Sequence, residues 1–193
     1  MTTKHDIAPF PLFGESNAPE KAKPYLEKAK AAFGLIPNVE QVMAQAPELL
    51  ASYMTAWDQF DETSLSEIER QVVYQAANFE NNCQYCTPWH TILSETAGMS
   101  EQDVESLRCG AQMSDQRLEA LRVFTRDLIR THGSIEPYAL KAFFDAGYNE
   151  QQALEVILGL AVKTMSNYTN SIAQTPLDKE AKVKQWSKPS LRA

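Results

Sequence analysis

Two cysteines and a histidine lie close enough in the chain to carry out thiol chemistry together. The segment reads Cys83-Gln84-Tyr85-Cys86-Thr87-Pro88-Trp89-His90, a CxxC pair followed by a histidine four residues after the second cysteine. On a helix, side chains at i and i+4 can touch, so the imidazole of His90 can reach the thiol of Cys86. An imidazole can take the proton of a thiol, and the resulting thiolate is the nucleophile. The spacing therefore predicts that His90 activates Cys86.

Pro88 indicates where the helix that carries these residues begins. Proline has no N–H and fits only the first turn of a helix, so regular helix must begin near residues 85–87. Cys86 then lies at the helix N-terminus, where free N–H groups and the helix dipole stabilise a thiolate. A peroxide would oxidise that thiolate to a sulfenic acid, and Cys83 is the thiol that would condense with it to a disulfide.

Other interpretations of the cysteine pair stay open at this point. Zinc is one, with Cys83, Cys86 and His90 joined by Cys109 or His132 as the fourth ligand. A purely structural role is another, because small thiols are often buried in helical cores. A thioredoxin fold is excluded, since the chain lacks the alternation of strands and helices that this fold needs.

Composition and charge exclude several classes of protein. The chain has 193 residues, of which 44% are hydrophobic and 22% charged, values typical of a globular protein rather than a disordered one. A net charge of −7 argues against a nucleic-acid partner. The longest aliphatic run, 156–162, is too short to span a membrane, and the N-terminus lacks the apolar region of a secretory signal. We therefore expect a cytoplasmic protein without a membrane partner.

The hydrophobic pattern has a helical period throughout and predicts an all-α fold of about eight to ten helices. Residues 1–18, rich in proline, form an extended arm, residues 19–182 a single helical domain, and residues 183–193 a loose tail. The segments 65–82 and 148–165 begin alike, which is compatible with two related helical halves. Helices are predicted at 19–33, 38–46, 47–60, 66–81, 86–97, 100–107, 115–132, 137–146 and 149–173.

Several motifs resemble one known family. They are Phe33-Gly34-Leu35-Ile36-Pro37-Asn38, Leu65-Ser66-x-x-Glu69-Arg70-Gln71, Asn82-Cys83-x-Tyr85-Cys86-x-x-x-His90-Thr91 and Asn167-Tyr168-x-Asn170-x-x-x-x-Thr175-Pro176-Leu177-Asp178. Together they resemble the alkylhydroperoxidase AhpD-like family of the carboxymuconolactone decarboxylase superfamily, in its peroxidase-related branch. The likeness extends over about residues 30–180, with the CxxCxxxH core at about 45–130.

The resemblance implies an orthogonal helical bundle that assembles as trimers or hexamers and reduces hydrogen or organic hydroperoxides. Cys86 would be the peroxidatic thiol, Cys83 the resolving thiol and His90 part of a proton relay, with an external thiol as reductant and no metal, haem or flavin. The family's relay glutamate is replaced here by Gln71, which can hold an imidazole but cannot accept its proton. Tyr85 and Trp89 are the candidate binding residues beside the cysteines. The alternative is a weakly active or non-catalytic helical oligomer that senses redox state or binds a small ligand.

Overall fold

The protein is all-α, as predicted. The computed structural model describes residues 10–189, so half of the predicted arm and the end of the predicted tail lie outside it. Within that range the chain has no strand. Its elements are α1 (Lys23–Phe33), α2 (Asn38–Met43), α3 (Pro47–Asp61), α4 (Glu67–Glu80), α5 (Cys86–Thr96), α6 (Glu101–Cys109), α7 (Gln116–Arg130), α8 (Pro137–Asp145), α9 (Glu150–Ala173) and a 3-10 helix (Lys179–Lys184).

The helices begin where capping signals stand in the sequence. Capping boxes of Ser66 with Glu69 and of Asn149 with Gln152 open α4 and α9. These explain why the two segments begin alike, and the proposed relation between two halves stays a prediction. In α1 the predicted start at residue 19 is wrong, because the ring of Pro24 is tolerated only in the first turn, and the helix begins at Lys23.

Helix α4 is central and packs against α5, α7 and α9. Helix α9 approaches α3 and α4 closely at Gly159, where an added Cβ would lie 2.6 Å from Cζ of Phe60 and 2.8 Å from Cγ1 of Val73. Glycine at this position therefore lets three helices meet without a gap. The faces of α4, α5 and α9 converge beside the cysteine pair. Even α9, with its 24 residues, does not have the length and apolarity needed to cross a membrane, nor does any other helix within residues 10–189.

The predicted loose tail is corrected over its first residues. The 3-10 helix includes Val183 and Lys184, and the side chain of Trp186 is buried. Its indole N–H donates to the carbonyl oxygen of Arg108 at 2.8 Å. Burial of a large aromatic ring and this hydrogen bond hold the segment against the domain. The division of the chain at residues 18 and 182 stays a prediction.

Candidate active site

The two thiols lie at the junction between α4 and α5. Asn82 adopts a left-handed conformation with φ of 52°, which turns the chain so that the N–H of Cys83 donates to the carbonyl of Asn78 at 2.9 Å. Cys86 is the first residue of α5, and Pro88 lies in its first turn. The N–H of Cys86 donates to Sγ of Cys83 at 3.3 Å. Both cysteines are buried, free thiols at the N-terminus of a helix.

Helix α9 supplies polar groups to both sulfurs. Nδ2 of Asn170 lies 3.2 Å from Sγ of Cys86 and 3.9 Å from Sγ of Cys83. The hydroxyl of Ser166 lies 3.9 Å from Sγ of Cys86. One amide group therefore contacts the two thiols that a disulfide would join, and its N–H groups favour a negative charge on sulfur.

The imidazole of His90 is held between α4 and α9. Its Nδ1 lies 2.9 Å from Oε1 of Gln71, and its Nε2 lies 2.9 Å from Nζ of Lys163. An ammonium group can only donate, so Nε2 is the acceptor and Nδ1–H donates to Gln71. The ring lies between Trp57, stacked at 5.7 Å, and Tyr74 at 4.8 Å.

The direct contact between His90 and Cys86 that the spacing predicts is absent from the hydrogen bonds of residues 10–189. Both ring nitrogens of His90 already have partners on other helices, because the burial of α5 between α4 and α9 surrounds the ring on both sides. Gln71 does contact the imidazole, in the place where the resemblance puts a glutamate. The link from His90 to the thiols therefore passes through Lys163.

Lys163 is the residue that the sequence analysis missed. Its side chain is 1% exposed, and it makes no ion pair with a carboxylate in the described part of the chain. Apart from His90, its ammonium group lies over the ring of Tyr74 at 5.3 Å. A lysine directly after the longest aliphatic run was the available signal, because a charge within a buried helix needs a specific partner.

The charges within this cluster separate the pKa values of the two thiols. Burial raises the pKa of Cys86, but the hydrogen bond from the Cys83 thiol and the positive charge of Lys163 outweigh it and hold that pKa well below its usual range. The pKa of Cys83 is raised by its hydrogen bond to Cys86 and by burial. Burial and Lys163 lower the pKa of His90, which stays neutral. The negative charge thus resides on Cys86 and the positive charge on Lys163.

Glu40, in α2, is a second group that the sequence analysis did not single out. Its side chain is buried, and its Oε2 has no hydrogen-bond partner among the described residues. Burial is the main cause that raises the pKa of Glu40 to about 8, and the nearby negative charges of Asp178 and Cys86 add to it. At neutral pH this carboxyl group is therefore mostly protonated and can donate a proton.

A pocket with about 360 Å³ of empty space adjoins Cys86, Glu40 and Lys163. Its wall is mainly aromatic and apolar, with a few polar groups at the sulfur. Such a pocket suits an apolar or aromatic molecule that presents one reactive group to the thiolate. The remaining residues that line it are Phe33, Pro37, Val39, Tyr53, Trp57, Tyr85, Trp89, His90 and Leu93.

Asp178 fixes the two candidate binding residues in this wall. Its Oδ2 accepts hydrogen bonds from the hydroxyl of Tyr85 at 2.5 Å and from the indole N–H of Trp89 at 2.9 Å. Its Oδ1 accepts from the backbone N–H of Asn38 at 3.1 Å. The Tyr85 hydroxyl in turn accepts from the N–H of Val39 at 3.1 Å. One carboxylate thus ties the C-terminal motif to the start of α2 and to α5.

Asp178→Ala is expected to lower the free energy of unfolding by about 2–4 kcal/mol, because three buried donors lose a charged acceptor. Denaturant unfolding measures the change. Asp145→Ala is the matched control: it breaks an exposed pair with Lys141, and we expect an effect below about 1 kcal/mol. Equal effects of the two substitutions would contradict the role assigned to Asp178.

The ligands of the zinc alternative are not brought together. Sγ of Cys109 donates to Oε1 of Glu105 at 3.0 Å within α6, and His132 lies in the turn after α7 with φ of 53°. Across residues 10–189, no three histidine, cysteine, aspartate or glutamate side chains are grouped as a metal site requires.

Solved structures show the same fold. The chain superposes on the alkylhydroperoxidase AhpD core of an uncharacterized peroxidase-related protein from Ralstonia eutropha JMP134 with a TM-score of 0.80 and 17% identity, covering 95% of this chain and 100% of that chain. An uncharacterized peroxidase-related protein from Silicibacter sp. TM1040 gives a TM-score of 0.75 and 20% identity, covering 94% and 97%. The AhpD-like fold that the motifs predict is therefore confirmed.

An enzyme with a different activity shares this fold. The debrominase Bmp8, in complex with 2,3,4-tribromopyrrole, gives a TM-score of 0.76 and 12% identity, covering 95% of this chain and 97% of that chain. No protein-family profile and no curated protein sequence matches the chain. The fold is thus shared by proteins of more than one chemistry, and the residues of the site must decide between them.

Proposed function

We propose that this chain, which has the fold of the alkylhydroperoxidase AhpD core, is a thiol-dependent hydroperoxidase. The observation that supports the proposal most is the buried charge pair of Cys86 and Lys163 beside a pocket that also holds a protonated carboxyl group. A thiolate is the form of cysteine that attacks peroxide oxygen. A cation and an acid near it can stabilise the charge that moves from sulfur to the leaving oxygen.

The reaction proceeds in two balanced steps. The Cys86 thiolate attacks the terminal oxygen of the hydroperoxide, the O–O bond breaks, Cys86 becomes a sulfenic acid, and the leaving alkoxide takes a proton from Glu40 to form an alcohol. The sulfur of Cys83 then attacks the sulfenic sulfur, and the hydroxyl leaves as water with the proton of the Cys83 thiol. Two thiols are oxidised to a disulfide, and one hydroperoxide is reduced. In this scheme His90 positions Lys163, and Gln71 orients His90.

The rate of the first step should have a bell-shaped dependence on pH. It rises as Cys86 ionises, well below pH 7, and falls as Glu40 loses its proton near pH 8. Stopped-flow measurement of thiol oxidation in a single turnover gives the profile. In Glu40→Gln the rate at neutral pH should fall by roughly 10²-fold and the alkaline limb should disappear. Glu180→Gln, an exposed carboxylate on the 3-10 helix, is the matched control. An alkaline limb that persists in Glu40→Gln would assign it to another group.

The direct test of the proposed function is stoichiometry. Fully reduced protein is mixed with hydrogen peroxide or cumene hydroperoxide, and the free thiols and remaining peroxide are counted. We expect two thiols to disappear for each peroxide reduced, with Cys109→Ser unchanged because Cys109 lies outside the site. Oxidation no faster than that of a variant lacking both Cys83 and Cys86 would refute a peroxidase.

A second candidate function is reductive dehalogenation of an aromatic halide. The aromatic wall of the Cys86 pocket favours a flat, apolar substrate, and the same dithiol supplies the two electrons. The thiolate would attack the halogen, the carbanion would take a proton, and Cys83 would displace halide to close the disulfide. Release of bromide from 2,3,4-tribromopyrrole, compared with reduction of cumene hydroperoxide by the same preparation, distinguishes the two activities.

The non-catalytic alternative differs in turnover. A redox sensor is oxidised once and waits for its signal to be read, whereas an enzyme consumes peroxide continuously when an external thiol is present. Consumption of many peroxide equivalents per protein in excess thiol supports catalysis. A single equivalent favours the sensor. The free state of both thiols is consistent with the cytoplasmic location that we propose.

We also propose that copies of the chain associate, as the resemblance to trimers or hexamers implies. Four large apolar side chains lie exposed along one face of α9, a pattern common at subunit interfaces. Paired substitution of Ile157 and Ile172 by glutamate is expected to shift the mass measured by light scattering to that of a monomer. An unchanged mass would place the interface elsewhere. The four residues are Leu154, Ile157, Tyr168 and Ile172.

A further inference from the structure

A second cavity lies on the Cys83 side of the cysteine pair. It encloses about 910 Å³ of empty space between the loop after α4, the end of α9 and the segment around Trp186. Cys83 lines this cavity and Cys86 does not, whereas Cys86 lines the aromatic pocket and Cys83 does not. Tyr85 lines both and forms part of the wall between them. Each sulfur therefore faces a different space.

The chemistry of this second cavity is the opposite of that of the first. Its polar lining consists of amide and hydroxyl side chains, and, among the described residues, no lysine, arginine, histidine, aspartate or glutamate lines it. A charged ligand would lose its hydration there without gaining a partner, whereas a neutral molecule with amide groups would find many partners. The polar residues nearest in sequence to the cysteines are Asn81, Asn82 and Gln84, and Asn170, Gln174 and Thr175 face them from the end of α9.

Two buried polar atoms belong to residues that line this cavity. Oδ1 of Asn170 and Oγ1 of Thr175 make no hydrogen bond to the described residues, although the two residues are only 6% and 9% exposed. The Nδ2 of Asn170 is already engaged with the sulfurs, so its free Oδ1 can only accept. Unpaired buried polar groups are costly, and a ligand with N–H donors would satisfy them.

The disulfide chemistry also favours attack from this side. An incoming thiolate bonds to one sulfur of a disulfide and the other sulfur leaves as a thiolate, and the more acidic thiol leaves faster. Attack on Cys83 releases Cys86, whose thiolate is stabilised by Lys163 and Asn170. A second thiol then displaces Cys83 from the mixed disulfide, which restores both protein thiols and yields an oxidised external disulfide.

We propose that this cavity is the docking site of the reductant, and that the reductant is a neutral thiol carrying amide groups, which attacks Cys83. The proposal rests on the dithiol cycle proposed above. Oxidant and reductant then use separate entrances to the same pair of sulfurs. Such a thiol can be a free small molecule or part of an extended protein segment, since both present the same amide groups.

The test uses wild-type protein oxidised by diamide, so that it needs no peroxide. Reduction of the disulfide is followed with N-acetylcysteine amide and with N-acetylcysteine, which differ by one charge, at equal thiolate concentration. We expect the neutral thiol to be about 10-fold faster. Thr175→Val should slow the neutral thiol several-fold. After acid quenching, peptide mapping should find the mixed disulfide on Cys83.

Gln185→Lys places a positive charge in the exposed rim of the cavity and should narrow the difference between the two thiols. Gln102→Lys, the same change on the exposed face of α6, should not. Reduced thioredoxin in a parallel assay identifies the source: a faster rate that keeps the sensitivity to Thr175→Val indicates a protein segment. Equal rates for the two small thiols in every variant, or a mixed disulfide on Cys86, would overturn the proposal. Failure of wild-type protein to react with peroxide would overturn only the proposed hydroperoxidase.

Discussion

Cys86→Ser is expected to abolish the reaction with hydroperoxide, whereas Cys83→Ser should still react once. The difference follows from the proton that the two thiols share. Cys86 holds the negative charge, and the pKa of Cys83 is raised by its hydrogen bond to Cys86 and by burial. Serine at position 86 leaves a thiol at 83 that stays protonated and faces the other cavity. Because protonated thiols barely react with peroxide, the rate should fall by at least about 10³-fold.

In Cys83→Ser the attack on peroxide proceeds, but the sulfenic acid at Cys86 has no thiol with which to condense. One equivalent of peroxide is consumed, and dimedone should label Cys86. Loss of the Cys83 hydrogen bond also weakens the stabilisation of the thiolate, so the single turnover is slower than in the wild type. Reversal of the pattern, with Cys83→Ser inert and Cys86→Ser reactive, would exchange the roles of the two cysteines. Continued turnover in both variants would exclude the pair from the reaction.

Lys163→Met should slow the oxidation of Cys86 at neutral pH by at least about 30-fold. Without the ammonium group, burial raises the pKa of Cys86 to the ordinary thiol value of about 8.5 or above, so that only about 3% or less is thiolate at pH 7. Methionine fills a similar volume in the buried site, so we expect the fold to persist. Titration of the thiolate by its ultraviolet absorbance measures the shift.

The rate in Lys163→Met should recover as the pH is raised through the new pKa, which a merely unfolded or misfolded variant would not show. Lys182→Met, an exposed lysine on the 3-10 helix, is the matched control for loss of one positive charge. His90→Ala should have a smaller effect in the same direction, because it removes a hydrogen-bond partner of Lys163 and leaves the charge. An unchanged thiol titration in Lys163→Met would remove the lysine from the site.

Local signals predicted the helices well because their causes are local. The boundaries of α3, α4 and α9 depend on Pro47 and on the capping boxes at Ser66 and Asn149, all of which are readable in the sequence. The start of α1 was misplaced although Pro24 was visible. The tail was misjudged because Trp186 is buried only through its contact with Arg108, which is distant in the chain.

The sequence by itself determined an all-α fold with two cysteines at the start of one helix, because helical period, caps and a proline act over a few residues. Only the tertiary structure decided which side chains meet the sulfurs. Helix α9 contributes Lys163 and Asn170, and α2 contributes Glu40, from positions far along the chain. These groups acquire their charge states through burial and through each other, and neither is encoded in spacing. The same packing separates an apolar pocket at Cys86 from an uncharged polar cavity at Cys83.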